Sequence, residues 1–153
     1  MKDFGGMKII ITGGAGSIGH ATACVLAARG ADIMLVDINR AGLEQRRAAV
    51  AEFGTQVEIF HADVSRSEAV QGYVAAACKA FGSIDGLFNN AGTEGKVASI
   101  ESYDEAEFDR LMAVNLRSIF LGMRHVIPVM LRQGRGAVVN TGSIASERGL
   151  AGA

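Results

Sequence analysis

Short apolar runs alternate with amphipathic stretches along this chain, and glycines stand at many of the boundaries. The apolar runs predict buried strands over residues 8–12, 32–37, 56–61, 84–89 and 137–141. Helical periodicity predicts helices over residues 17–29, 40–53, 68–81 and 104–132. Gly30, Gly54 and Gly82 follow three of these helices, at the position where a left-handed residue commonly ends a helix. Strands joined by crossover helices predict an α/β fold: a three-layer, doubly wound parallel sheet.

Two of the predicted helices carry apolar residues that need cover. The first has apolar positions at Ile18, Ala21, Val25 and Leu26. The helix over 104–132 has a stripe at helical spacing: Phe108, Leu111, Met112, Asn115, Ile119, Met123, Ile127 and Met130. Leu116, Phe120, Val126 and Leu131 add apolar surface beyond it, and the polar face is narrow: Arg117, Ser118, Arg124 and His125. Because such a helix needs cover on two sides, we expect a homo-oligomer (dimer or tetramer) through 104–132, the alternative cover being a neighbouring helix of the same chain.

Composition excludes several other classes of protein. With 153 residues, 49% of them hydrophobic, the chain is expected to be one domain with a well-buried sheet. A net charge of −1 gives no electrostatic case for a nucleic-acid partner or an anionic membrane. No run approaches the ~18 apolar residues of a membrane span, and the first residues lack the apolar stretch of a secretory signal. We therefore expect a cytoplasmic protein without nucleic-acid or membrane partners.

The cysteines and histidines do not predict a metal site. Cys24 and Cys78 are far apart in sequence with no CxxC motif, so neither a zinc site nor a disulfide framework is indicated, and both are expected to be helix core thiols. The three histidines, His20, His61 and His125, have spacings that suit neither a metal site nor a catalytic triad.

The junction between the first strand and the first helix reads Thr12-Gly13-Gly14-Ala15-Gly16-Ser17-Ile18-Gly19. Glycines let the backbone turn sharply and approach a phosphate, and the first N–H groups of the following helix point at its negative charge. Such a junction is typical of a site for a dinucleotide pyrophosphate. Because glycine-rich stretches are common, this interpretation depends on the polar residues that follow the later strands.

Acidic residues follow the second and third strands. Asp37 comes 24 residues after Gly13, where a carboxylate accepts hydrogen bonds from the adenine ribose hydroxyls. It also repels a 2′-phosphate, which favours NAD(H) over NADP(H), and the alternative is a solvated turn aspartate. Asp63 and Val64 follow the third strand, where a carboxylate can accept from the adenine amino group. A helix-capping aspartate is the alternative there.

Asparagines and a serine follow the fourth and fifth strands. In Asn89-Asn90-Ala91-Gly92 the small residues allow close approach of a cofactor and the amides can pin neighbouring loops, while the alternative is an ordinary asparagine–glycine turn. Ser143 can hydrogen-bond a substrate carbonyl, or it simply opens a loop. Asn115 is a polar residue on the apolar stripe, and its amide either bonds nearby backbone or serves the active site. The predicted catalytic residues are thus Ser143 and Asn115, and the predicted cofactor-binding residues are Thr12, Gly13, Gly16, Ser17, Ile18, Gly19, Asp37, Ile38, Asp63, Val64, Asn89, Ala91 and Gly92.

These motifs, in this order and spacing, resemble those of the short-chain dehydrogenase/reductase family over essentially the whole chain. The resemblance implies a Rossmann sheet of strand order 3-2-1-4-5, continued by two further strands in complete members. It also implies NAD-dependent interconversion of an alcohol and a ketone or aldehyde. By the same analogy Ser143 orients the carbonyl oxygen, and Asn115 holds a helix distortion and a water in the proton relay. Residues 93–102 and 144–153 are expected to border the substrate pocket.

Two departures from the family pattern affect this interpretation. The glycine spacing resembles that of the extended subclass, since the compact subclass usually has glycine where Ser17 stands, whereas Asn-Asn-Ala-Gly resembles the compact subclass. The family's Tyr-x-x-x-Lys pair is absent from the 153 residues, because neither Tyr73 nor Tyr103 is followed four positions later by lysine. We therefore expect residues 1–153 to form one NAD(P)-binding domain that is incomplete at its C-terminus, with the catalytic tyrosine beyond Ala153.

Two functions remain open at this point. The first is an NAD-dependent oxidoreductase that interconverts a secondary alcohol and a ketone by hydride transfer. The alternative is a truncated, non-catalytic protein that binds NAD or a partner. A weaker third reading, suggested only by the glycine spacing, is an NAD-sensing regulatory protein of the extended subclass.

Overall fold

A computed structural model of the chain describes residues 3–143, and in it five parallel strands form one sheet in the order β3-β2-β1-β4-β5. The strands are β1 (Lys8–Thr12), β2 (Asp32–Asp37), β3 (Val57–His61), β4 (Gly86–Asn89) and β5 (Ala137–Asn140). The helices are α1 (Ser17–Ala28), α2 (Arg40–Ala51), α3 (Ser67–Phe81), α4 (Glu105–Met112) and α5 (Ser118–Gln133). A 3₁₀ turn, Ile100–Ser102, was not predicted from the sequence. The predicted α/β fold class and strand order are confirmed.

Alternation along β1 divides the core into two layers. Ile10 packs into a cluster with residues of α3 and α5, whereas Ile9 and Ile11 pack on the other face with residues of α1 and α2. Ile10 and Ile11 are fully buried. Both faces of the central strand are therefore covered by helices, which is why its sequence is a continuous apolar run instead of an alternating one.

The buried face of α1 differs from the face that its large apolar residues suggest. Ile18 and Val25 are 62% and 52% exposed, while the buried positions are Gly19, Ala23 and Ala27. The helix lies so close to the glycine turn that a Cβ at position 19 would collide with the carbonyl oxygen of Gly13. Only small residues fit at this closest approach, so two of the apolar positions noted in the sequence, Ile18 and Val25, lie on the exposed side of the helix.

The helix predicted over 104–132 is not continuous. A π-helical segment, Ala113–Arg117, separates α4 from α5 and contains Asn115, in agreement with the helix distortion expected there. The wider turn changes the helical register, so that Ser118, predicted on the polar face, is buried and donates to the carbonyl oxygen of Val114 (2.5 Å). His125, also placed on that face, is half-buried, with Nε2 3.3 Å from Ser67 Oγ.

The same discontinuity divides the predicted stripe. Met130 is buried in the core beside α3, and Leu111, Ile119 and Met123 are half-buried. The remaining large apolar residues of α4, the π segment and α5 form what we call the exposed helix face: Phe108, Met112, Leu116, Phe120, Ile127 and Leu131.

Two smaller expectations can be compared with the fold. Cys24 and Cys78, expected in the core, are only half-buried, because each lies at the margin of a core cluster. Within residues 3–143 no helix is both long and apolar enough to cross a membrane.

Candidate cofactor-binding site

The loops that follow β1, β2, β3, β4 and β5 meet at one edge of the sheet, because parallel strands all end on the same side. Two neighbouring clefts open there. One, of about 280 Å³, lies beside Gly13, Asp37 and Asp63. The other, of about 520 Å³, lies beside Asn89, Asn115 and Ser143. The structure therefore brings residues from widely separated motifs to one place.

Gly13 makes the sharp turn out of β1. Its φ of +69° is in the left-handed region, and a Cβ there would lie 2.8 Å from Asn90 Nδ2 and 3.0 Å from the Cα of Ala91. The turn is therefore closed on the side of β4 by backbone and amide atoms, and only glycine fits. Such a cradle leaves the main chain bare on its outer side, as close approach of a pyrophosphate requires.

The N-terminus of α1 points out of this turn. Gly16 occupies the N-cap position, and no side chain caps the helix end. Ser17 and Ile18, in the first turn, are exposed. Because the first N–H groups of a helix have no partner within the helix, this end can take an anion. Gly16, Ser17, Ile18 and Gly19 thus lie where a diphosphate would be held.

Asp37 ends β2 beside the same turn. One carboxylate oxygen, Oδ2, accepts a hydrogen bond from the N–H of Ala15 (3.0 Å), and Oδ1 accepts from the N–H of Asn39 (2.9 Å). These two bonds fix the carboxylate between the glycine turn and the start of α2. Ile38, the next residue, is exposed and lines the smaller cleft with Asp37.

Asp63 forms the opposite wall of the smaller cleft with Val64. Its Oδ1 accepts from both the N–H (2.9 Å) and the hydroxyl (2.7 Å) of Ser65. The aspartate therefore stabilises the turn that leads into α3, which is similar to the helix-capping role given as the alternative. Asp63 also lines the smaller cleft. Val64 is buried, and Ala91 and Gly92 complete this wall.

Thr12 and Asn90 join β1 to the loop after β4. The hydroxyl of Thr12 accepts from the N–H groups of Asn90 (3.0 Å) and Ala91 (3.1 Å), and Asn90 Nδ2 donates to the Thr12 carbonyl (3.1 Å). Thr12 is buried and acts through these bonds. Asn90 was quoted in the motif but left out of the predicted binding residues, although its side chain is the one that touches the glycine turn.

Asn89 is directed the other way. Its Nδ2 donates to Asn140 Oδ1 (2.9 Å), which ties β4 to β5. A Cβ at Gly122 would lie 2.6 Å from Asn89 Oδ1, so α5 also packs closely against this amide. Asn89 borders the larger cleft, but its contacts are those of a residue that holds the sheet edge together.

Asn115 lies in the π segment and faces the larger cleft. Its Oδ1 accepts from the N–H of Thr93 (2.8 Å), and its Nδ2 donates to the carbonyl of Thr93 (2.9 Å). Asn115 therefore bonds backbone, but the backbone of a loop 22 residues away and not that of its own segment, and the residue is exposed rather than buried. Ser143 is exposed and lines the same cleft from the loop after β5. Of residues 93–102, which were expected to border a substrate pocket, Thr93 and Glu94 line the larger cleft, while residues 144–153 lie outside the described part of the chain.

Sequence reasoning missed three further residues of the smaller cleft, Ala62, Arg110 and Val114. Ala62 directly follows β3, whereas Arg110 and Val114 lie on the helical segment after the loop of 93–102, and no motif marks them. In the sequence Arg110 is one of several charged residues of an amphipathic helix, and only the tertiary structure shows what it contacts.

Comparison with known proteins identifies this arrangement. A family described as short chain dehydrogenase matches residues 7–153. The chain belongs to the short-chain dehydrogenase/reductase family. The matched range includes the glycine turn, Asp37 and the asparagine loop.

Members of this family resemble the chain closely over roughly their N-terminal half. Levodione reductase from Leifsonia aquatica is 48% identical over 144 residues, which cover 93% of this chain and 54% of that protein. A 2,5-dichloro-2,5-cyclohexadiene-1,4-diol dehydrogenase from Sphingobium indicum is 36% identical, and the match covers 98% of this chain and 59% of that protein. The crystal structure of NAD⁺-bound xylitol dehydrogenase has a TM-score of 0.94 at 39% identity and covers 97% of this chain and 57% of that one. The chain thus spans little more than half the length of these short-chain dehydrogenases.

The two tyrosines of this short-chain dehydrogenase lie in different surroundings. Tyr73 lies inside the core between α3 and the sheet, only 1% exposed, and burial raises the pKa of its hydroxyl well above its usual range. Tyr103 follows the 3₁₀ turn, with its hydroxyl against Gly95. Neither tyrosine is among the residues that line the two clefts.

Proposed function

We propose that this chain carries the cofactor site of an NAD-dependent oxidoreductase that interconverts a secondary alcohol and a ketone by hydride transfer. The observation that carries the proposal is the Asp37 carboxylate, fixed by the N–H groups of Ala15 and Asn39 beside a glycine turn and an uncapped helix end. The acidic group can accept hydrogen bonds from the adenosine ribose, and the bare backbone lets the phosphates approach closely. The helix N-terminus stabilises the negative charge of these phosphates.

Asp37 supports NAD over NADP. Both of its oxygens already accept backbone hydrogen bonds, so the carboxylate is held in place and oriented into the smaller cleft. A ribose hydroxyl can donate to it, whereas a 2′-phosphate would bring a second negative charge against a fixed one. The NAD⁺-bound state of the related xylitol dehydrogenase agrees with this choice.

The substrate would occupy the larger cleft. When bound, the nicotinamide supplies or accepts the hydride. Ser143, at the end of β5, would donate to the substrate oxygen from one side of this cleft, and Asn115 would keep the opposite wall in place through Thr93. Two relatives named as a levodione reductase and a xylitol dehydrogenase favour a ketone or a polyol as substrate class.

We also propose that a second copy of the chain covers the exposed helix face. Phe120 and Leu116 are 53% and 57% exposed there, and Arg124 lies over the Phe120 ring, 5.9 Å from its centroid. An apolar surface along two successive helices is typical of an interface between subunits, and a symmetric dimer would bury it on both copies at once.

The proposed cofactor choice is tested by fluorescence titration with NADH and NADPH. We expect wild-type protein to bind NADH at least about tenfold more tightly than NADPH, and Asp37→Asn to remove most of that preference. Asp3→Asn is the matched control, because Asp3 is exposed near the C-terminal end of α1, at the opposite edge of the sheet. Equal binding of the two cofactors by wild type would overturn the choice of NAD, and binding of neither by folded protein would overturn the cofactor assignment.

A further inference from the structure

The loop that follows β4 is a wall common to both clefts. Gly92 and Thr93 line the smaller cleft beside Asp37 and also the larger cleft beside Ser143. A displacement of this wall would therefore change the nucleotide site and the substrate site together. What holds Thr93 in place thus matters for both.

The main chain of Thr93 is held by one side chain. Asn115 Oδ1 accepts from its N–H (2.8 Å), and Asn115 Nδ2 donates to its carbonyl (2.9 Å). This pair fixes the peptide groups of Thr93 but leaves its side chain and the next residue to other contacts.

Arg110 provides those contacts. Its Nη1 donates to Thr93 Oγ1 (3.2 Å), and its Nη2 donates to the carbonyl of Glu94 (3.2 Å). Only a guanidinium can reach both acceptors while its remaining donors serve a third group, because its five N–H bonds lie in one rigid plane.

Glu107 is that third group. Arg110 Nε and Nη2 donate to its two carboxylate oxygens at 2.8 and 2.7 Å, one turn earlier on α4. The hydrogen bonds from Arg110 hold the pKa of Glu107 below its usual range. The bidentate pair orients the guanidinium plane toward the loop that contains Thr93 and Glu94, so the arginine is held in position without a bound ligand.

We infer that Arg110 is a positioning residue for the dinucleotide site: with Glu107 as its orienting partner, it locks the wall formed by Thr93 and Glu94. The inference rests on the proposed function for what the wall encloses. Arg110 lies on α4, and Asn115 lies on the π segment that directly follows α4, so both contacts to Thr93 come from one stretch of helix. One holds the main chain of the wall and the other holds its side chain.

The test measures NADH binding by titration in four single variants and in the double variant Arg110→Gln/Thr93→Val. Arg110→Gln removes the fork, and Arg110→Lys keeps the charge but cannot serve three acceptors in one plane. Thr93→Val removes the Oγ1 acceptor of Arg110, together with the long hydrogen bond that this hydroxyl donates to the Glu94 carbonyl (3.5 Å). Arg132→Gln is the matched control, because Arg132 is an exposed arginine in the last turn of α5, at the opposite edge of the sheet.

We expect Arg110→Gln to raise the Kd for NADH by about three- to tenfold with no rescue by lysine, because the loss is one of geometry and not of charge. Thr93→Val is expected to have a smaller effect, and the double variant less than the product of the two, since both remove the same bond. Recovery of wild-type affinity in Arg110→Lys would show that only charge matters and overturn the inference. So would an unchanged Kd in Arg110→Gln.

Amide hydrogen exchange at Thr93 decides the inference independently of the cofactor. The wall is expected to exchange faster in Arg110→Gln than in wild type, while the core strand β1 keeps its protection. If wild type binds no dinucleotide, the proposed function fails, and faster exchange still supports the lock on the loop. Unchanged exchange at Thr93 overturns it in either case.

Discussion

Gly13 and Gly54 have nearly the same backbone conformation in very different surroundings. Their φ angles are +69° and +77°, but a Cβ at Gly13 would meet Asn90 and Ala91, whereas at Gly54 nothing lies within 4 Å. Gly54 lies in open space in the turn after α2, and Gly13 brings two strands and a loop together. Comparing substitutions at these two glycines therefore separates two contributions to the free energy of unfolding. One is the strain of a left-handed backbone, and the other is the steric collision of an added Cβ.

We predict that Gly13→Ala destabilises the fold much more than Gly54→Ala. The change at Gly54 is expected to lower the free energy of unfolding by about 1 kcal/mol, for the left-handed backbone alone. At Gly13 the added collision is expected to bring the loss to about 3 kcal/mol and to abolish NADH binding. Urea unfolding and NADH titration measure both effects. Equal losses in the two variants would show that the close approach to Asn90 has no energetic weight.

The elements of this fold are most informative where two of them join. The π segment between α4 and α5 shifts the register by enough to bury Ser118 and to turn Asn115 toward Thr93. It also leaves Phe120 on the exposed helix face, away from the buried residues Leu121 and Gly122. A continuous helix would not divide the apolar residues in this way.

At this scale we predict that Phe120→Ser weakens self-association. The expected result is a shift toward monomer in light scattering coupled to size-exclusion chromatography, because an apolar ring central to the face is lost. Phe53→Ser is the control, since Phe53 is similarly exposed (46% against 53%) but follows α2 and lies outside the exposed helix face. A wild-type protein that is monomeric at high concentration would contradict the proposed interface.

At the scale of the whole molecule, the sheet order decides which loops share a cleft. β4 pairs with both β1 and β5, so the asparagine loop lies between the glycine turn and the loop that carries Ser143. Thr141 Oγ1 donates to Asn90 Oδ1 (3.3 Å), which links the last of these loops to the first two. Residues more than a hundred positions apart thus form one site.

The corresponding prediction concerns Ser143 in the proposed oxidoreductase. Ser143→Ala is expected to lower kcat by about 10²–10³-fold, as loss of a donor to a reacting oxygen does, without a change in the Kd for NADH. Ser83→Ala, which precedes β4 at the opposite edge of the sheet, is the control and should retain wild-type kcat. An unchanged kcat in Ser143→Ala would remove this residue from the proposed chemistry, and weaker NADH binding would reassign it to the cofactor.

Much of this protein follows from its sequence by itself. Apolar runs bounded by glycines predicted all five described strands within two residues at each end. Strands that are buried on both faces are continuous apolar runs, so their ends are easy to recognise in the sequence. The order of the motifs predicted which strand ends carry Gly13, Asp37, Asp63, Asn89 and Ser143, since parallel strands must end on one side.

Packing alone decided the rest. The buried face of α1 consists of Gly19, Ala23 and Ala27, because the distance between helix and sheet, and not hydrophobicity, selects the residues that fit. The roles of Asn90, Thr93 and Arg110 depend on contacts across the chain, at separations of 78, 22 and 17 residues, that no local pattern encodes. Local spacing specifies which elements form, but only their arrangement in space fixes which polar groups meet, because hydrogen bonds depend on distances that the folded chain sets.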